Sequence, residues 1–90
     1  SNSIYEFIIK WVQVTNILLS QLCTYEFLLI IDEKALKNNE FNFRFKVKLG
    51  DIEINDISEC SSGQQDMLRL TMNIALIIIL GYNNYPLYID

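Results

Sequence analysis

The chain has 90 residues, of which 51% are apolar and 12% aromatic, which fits one small packed domain and excludes a disordered segment. Its net charge of −4 excludes the basic surface of an autonomous nucleic-acid binder. There is no histidine, and the two cysteines, Cys23 and Cys60, form no C-x-x-C pair, so cysteine and histidine alone build no zinc site.

Residues 4–22 predict an amphipathic helix. Glu6, Lys10, Gln13, Asn16 and Ser20 recur at helical spacing, and Ile4, Phe7, Ile8, Trp11, Val14, Leu18 and Leu22 fill the remaining surface. Residues 25–32 (Tyr-Glu-Phe-Leu-Leu-Ile-Ile-Asp) predict a strand with little polar alternation, of the kind covered on both faces. A turn is expected at 37–40. Residues 41–49 then alternate, with Phe41, Phe43, Phe45, Val47 and Leu49 on one face and Asn42, Arg44, Lys46 and Lys48 on the other. Gly50-Asp51 predicts a tight hairpin turn into a third strand, Ile52-Glu53-Ile54.

A loop at 55–62 precedes a second helix over 63–80, which Gly81 is expected to cap. Residues 74–80 are all apolar, so this half of the helix is expected to be buried all round. That run is also the longest wholly apolar one, well short of the ~20 residues a bilayer span needs. The start of the chain carries no positively charged leader, and a cytoplasmic protein without a membrane partner is expected. Pro86 opens a final short strand ending at Asp90. A buried strand that stops on an acidic residue predicts that the chain is cut at that point. The order of elements is helix, three antiparallel strands, helix, strand.

The segment Glu59-Cys60-Ser61-Ser62-Gly63-Gln64-Gln65 carries the chemistry. Two serines and a glycine open a long helix, whose first turn has unpaired N–H groups and the positive end of the helix dipole. Ser61 with Gln64, and Ser62 with Gln65, each match a capping box. Glycine lets a ligand approach the backbone closely. Hydroxyl, free N–H groups and glutamine at one helix tip make a phosphate-binding surface; taken alone, an ordinary helix cap is the preferred reading. Cys60 stands where the dipole favours a thiolate, although a small buried residue is the preferred reading. Downstream, residues 86–90 place a carboxylate at the C-terminal end of a strand, where a nucleotide-binding sheet holds magnesium.

Cys60-Ser61-Ser62-Gly63-Gln64 resembles the ABC signature motif L-S-G-G-Q, with Cys60 in place of the leucine and Ser62 in place of the first glycine. Residues 86–90 resemble a Walker B strand, and Asp90 lies 26 residues beyond Gln64. That long gap, the C-S-x-G-Q form and the preceding F-x-F-x-V hairpin are similar to the SMC-like repair branch, which includes the SbcC-type exonuclease subunit and its phage recombination relatives. The resemblance covers residues 41–90 by pattern.

The resemblance implies an α/β fold: part of a P-loop ABC-type head, forming one partial domain over 1–90. Residues 1–24 would lead in from a coiled coil, 25–57 form the β meander, 58–81 the signature motif and helix, and 86–90 the Walker B strand. It implies ATP and magnesium as cofactors, and a homodimer with a second head. Ser61 and the Gly63 N–H would bind the γ-phosphate of ATP held by the partner head, with Ser62 beside it and Gln64 in support. Asp90 would hold magnesium through water. A nuclease subunit, and DNA reached through the complex, are the implied partners, in a cytoplasmic or nucleoid-associated assembly, cellular or phage-encoded.

No Walker A motif is present, because none of the three glycines precedes a Lys-Ser or Lys-Thr pair. The chain alone is therefore expected neither to bind ATP tightly nor to hydrolyse it. Arg69, on the signature helix, would relay nucleotide state or pair with a neighbouring acid. Arg44, Lys46 and Lys48 share a strand face that could touch DNA phosphates, though a solvated face is the preferred reading. Two rivals stand beside the leading one. The first is a non-catalytic α+β interaction module in which the serines only cap a helix. The second is another ABC branch, RecF-like, RecN-like or a chromosome-organising SMC.

Overall fold

The computed structural model describes residues 2–32 and 44–83. Helix α1 spans Asn2–Leu22, strand β1 Phe27–Ile31, β2 Phe45–Leu49, β3 Ile52–Ile54, and helix α2 Ser62–Asn83, with a short 3-10 turn at Ile57–Glu59. The expected turn at 37–40, the first residues of the long second strand (41–43) and the strand at 86–90 lie outside the described residues. The described part is a small α+β domain: two helices against a three-stranded antiparallel sheet of order β1-β2-β3.

The meander forms as expected. Gly50 has φ 59°, the left-handed value that a two-residue hairpin turn needs at its first central position. In register, Phe27 pairs with Leu49, Leu29 with Val47 and Ile31 with Phe45. These residues share one face, and both helices pack on it. Leu19, Phe27, Leu29, Val47, Cys60 and Leu68 form the buried cluster.

The expectation that β1 is covered on both faces does not hold. Burial alternates along the strand, and Leu28 is exposed. The other face of the sheet sets Lys48 between Leu28 and Glu53, and Lys46 beside Ile30. Lysines paired in register with Leu28 and Ile30 can lay their apolar stems along these side chains while their ammonium groups stay in water.

The two helices pack against each other, and each carries a buried stripe. Thr15 and Leu19 of α1, and Thr71 and Ala75 of α2, are fully buried or nearly so. The Trp11 indole N–H donates to the Met72 carbonyl at 2.8 Å, and its ring meets Phe45 edge-on at 5.8 Å. One tryptophan thus ties α1 to both α2 and the sheet.

Helix α2 departs from expectation twice. It runs past Gly81 to Asn83, because a capping glycine works through a left-handed φ and, among the described glycines, only Gly50 has one. Nor is its apolar second half buried all round. Leu68, Thr71, Ala75 and Ile79 form the inward stripe, whereas Leu70 is 52% and Ile77 70% exposed. Helical spacing of 3.6 residues places Ile77 opposite that stripe, and two helices on one sheet face can cover only one side of each other.

Thr71 satisfies its buried hydroxyl by donating to the Met67 and Leu68 carbonyls. The Thr15 hydroxyl has no partner among the described residues, at 0% exposure. A buried hydroxyl without a partner costs about 1–3 kcal/mol. Thr15→Val, which keeps the shape and removes the hydroxyl, is therefore expected to raise stability by about 1 kcal/mol in urea unfolding, whereas Thr15→Ser should lower it.

Candidate functional site

The site is the N-terminal tip of α2, built from the loop upwards. Asp56 opens the 3-10 turn: its carboxylate accepts from the Ser58 N–H at 3.0 Å and from the Ser58 hydroxyl at 2.8 Å. The amide first, then the hydroxyl, hold the Asp56 carboxyl below its ordinary pKa, and the Arg44 charge adds to that effect. The turn closes with Cys60 N–H donating to the Ile57 carbonyl at 3.0 Å.

Cys60 then drops its side chain into the core, where it is 6% exposed. Burial first, then the neighbouring Glu59 charge, push its thiol pKa up. The thiolate that the helix dipole would favour is thereby disfavoured, and the reading of Cys60 as a small buried residue holds. Cys23 packs at the margin of the same cluster and is also a free thiol.

Immediately after Cys60 the chain turns outward. Ser61, Ser62 and Gly63 are all exposed. Of the two capping boxes the sequence allows, the structure forms Ser61 with Gln64: the Gln64 N–H donates to Ser61 Oγ at 3.1 Å, and Gln64 Oε1 accepts from the Ser61 N–H at 2.9 Å. Gln65 has a different task. Its Nε2 donates to the Cys60 carbonyl at 2.9 Å and the Ser58 carbonyl at 3.3 Å, bracing the loop against the helix.

Four N–H groups at a helix start lack intrahelical partners. Here the N–H groups of Ser62 and Gly63 have none among the described residues. Ser61 Oγ accepts one bond and retains its proton to donate. The tip therefore offers two backbone donors and one hydroxyl donor, at the positive end of a 22-residue helix. A Cβ added at Gly63 would meet nothing within 4 Å, so the fold itself does not demand glycine there.

The remaining sequence candidates lie elsewhere. Arg69 is an exposed residue of α2, and it pairs with Asp66 at 2.8 Å, the neighbouring acid of the two expectations for it. Lys46 stands 3.9 Å from Glu53, Lys48 is in register with Glu53, and Arg44 acts on Asp56. The basic face is thus interleaved with acids. Asp90 lies outside the described residues. Among the described residues no three histidine, cysteine or acidic side chains gather to hold a metal, and no helix is long and apolar enough to cross a membrane.

No protein-family model matches the chain, and comparison with curated proteins and with solved structures gives no match.

Two expectations follow for the isolated chain. Ser61→Ala removes the cap and should lower stability by about 1 kcal/mol in thermal or urea unfolding, with Gln64→Ala costing less because it leaves the Ser61 hydroxyl in place. In timed alkylation with a small maleimide, half-buried Cys23 should react well before Cys60, and equal rates would mean that the Cys60 side chain is not held in the core.

Proposed function

We propose that this chain is the lobe of an SMC-like ABC ATPase head that carries the signature motif, and that it serves DNA repair or recombination. The observation that carries this reading is the tip of α2. The residues before it are fixed in the core and the residues after it are fixed in the helix, while Ser61, Ser62 and Gly63 stand exposed with donors to spare. Such a tip suits the terminal phosphate of ATP held by a second head, with Ser61 Oγ and the Gly63 N–H as donors. Gln64 supports the contact by holding the Ser61 backbone.

Of the two departures from L-S-G-G-Q, Cys60, in place of the leucine, is buried as an apolar residue would be. Ser62, in place of the first glycine, is exposed, and its side chain adds bulk at the tip that a nucleotide would approach. Asp90 would hold magnesium through water in the chain's own nucleotide site. Two heads would then sandwich two nucleotides, and binding energy at the shared phosphates would drive closure. A nuclease subunit and DNA are the partners this reading implies.

In the complete protein, Ser61→Arg is expected to abolish ATP-dependent head association and hydrolysis. Gly63→Ala is the sharper probe, because the fold has room for the methyl group. It should leave the thermal stability of the chain unchanged or higher by about 0.5 kcal/mol. It should nevertheless weaken ATP-driven association about tenfold or more, the scale of one charge-assisted hydrogen bond. Normal association and hydrolysis in the Ser61→Arg protein would refute the assignment.

The exposed Leu70 and Ile77 favour a second reading, a non-catalytic α+β interaction module. On that reading Ser61 acts only as a cap, and Ser61→Ala would change partner binding no more than it changes stability.

A further inference from the structure

Helix α2 carries two stripes. Leu68, Thr71, Ala75 and Ile79 face the core, while on the opposite side Asp66, Leu70, Asn73, Ile77 and Leu80 are exposed. The exposed set advances in alternating steps of four and three residues, the spacing by which one helix presents a seam to another. Half-buried Ile74 and Leu76 border it. The described sheet and α1 lie on the other side of α2, so neither obstructs a helix that approaches this stripe.

One residue interrupts the seam. Asn73 is the only polar residue from 72 to 80, and asparagine is a poor helix former. Against a wholly apolar partner its carboxamide would lose water and gain no hydrogen bond, which is costly. A carboxamide has both donors and an acceptor, so a second carboxamide satisfies it. When two α2 helices lie parallel and in register, like positions meet: Leu70 with Leu70, Asn73 with Asn73 and Ile77 with Ile77. A single asparagine in such a seam fixes register and strand number. Turned antiparallel, with Leu70 against Leu80, the pair would instead set Asn73 against Ile77. Charge does not oppose the parallel arrangement. Asp66 would meet its own copy at the end of the seam, but each Asp66 is neutralised by its own Arg69, bonded at 2.8 Å.

We propose that the solvent-facing stripe of α2 pairs this chain with a second copy of itself, parallel and in register, with Asn73 opposite Asn73. The proposal rests on the exposed stripe and not on the role of the α2 tip, so nucleotide is left out of its test.

The contact from Leu70 to Leu80 spans about three helical turns and is smaller than a standard interface. A Kd of about 100 µM is therefore expected, which sedimentation equilibrium of the 90-residue chain reads at about 0.5 mM. Circular dichroism shows that each variant folds. Ile77→Lys should weaken association about tenfold or more, because the pair would bury a charge. Ile52→Lys, at a comparably exposed residue of β3, should leave association unchanged. Asn73→Asp and Asn73→Lys should each associate about tenfold more weakly than the unaltered chain, and their equal mixture should recover the loss, because opposite charges then face each other. A folded chain that stays monomeric at the stated concentration would overturn the proposal and leave the stripe to another protein. Equal effects of Ile77→Lys and Ile52→Lys would overturn it as well, since they would mean unspecific adhesion. A mixture that associates no more tightly than its components would overturn the parallel register.

Discussion

The behaviour of the α2 tip depends on one anchoring, that of the Cys60 side chain in the core beside Leu19, Val47 and Leu68. Because Cys60 is held inside, the next residue has to leave the core, and the chain enters the helix with Ser61 already facing solvent. Capping by Gln64 and bracing by Gln65 fix that exit from both sides. The helix start is consequently rigid in position and open in its donors, the condition for binding an anion without reorganising.

The same core depends on how α1 is held. Trp11 fastens it to α2 and β2, and Asn16 fastens it to β1, each by hydrogen bonds to backbone carbonyls or amides. Such bonds fix register as well as distance, because a slip of one residue along the helix would point the side chain elsewhere. Thr15 and Ala75 are fully buried, and the Thr15 hydroxyl has no partner among the described residues. All of this covers one side of α2 and leaves Leu70 and Ile77 in solvent, on the side opposite the core.

Much of this architecture is readable from local pattern. The Gly50-Asp51 hairpin follows from alternation plus a glycine that tolerates positive φ, and the helices follow from their period. The alternative caps at 61–65 reduce to two choices by spacing alone. What pattern does not carry is the environment of individual residues. Asn16 lies among the polar positions of α1, and nothing in its period distinguishes a solvated asparagine from one that grips a strand; its poor helix propensity was the available hint. The apolar run at 74–80 does not reveal how many neighbours the helix has, so its pattern reads as complete burial where only one stripe is covered. Gly81 resembled a terminator because composition does not report φ. For the site, the spacing located Ser61, Gly63 and Gln64, while the choice between the two capping boxes and the separate role of Gln65 needed the fold.

The central claim is the proposal that Ser61 Oγ and the Gly63 N–H meet the terminal phosphate of ATP on a neighbouring head. The most direct measurement is the amide NMR signal of Gly63 in the complete protein with the partner head present, before and after addition of magnesium and a non-hydrolysable ATP analogue. The account predicts that this signal moves downfield on nucleotide addition, and that it stays in place when the partner head cannot bind nucleotide. A signal that does not respond to nucleotide in an assembled pair of heads would contradict it.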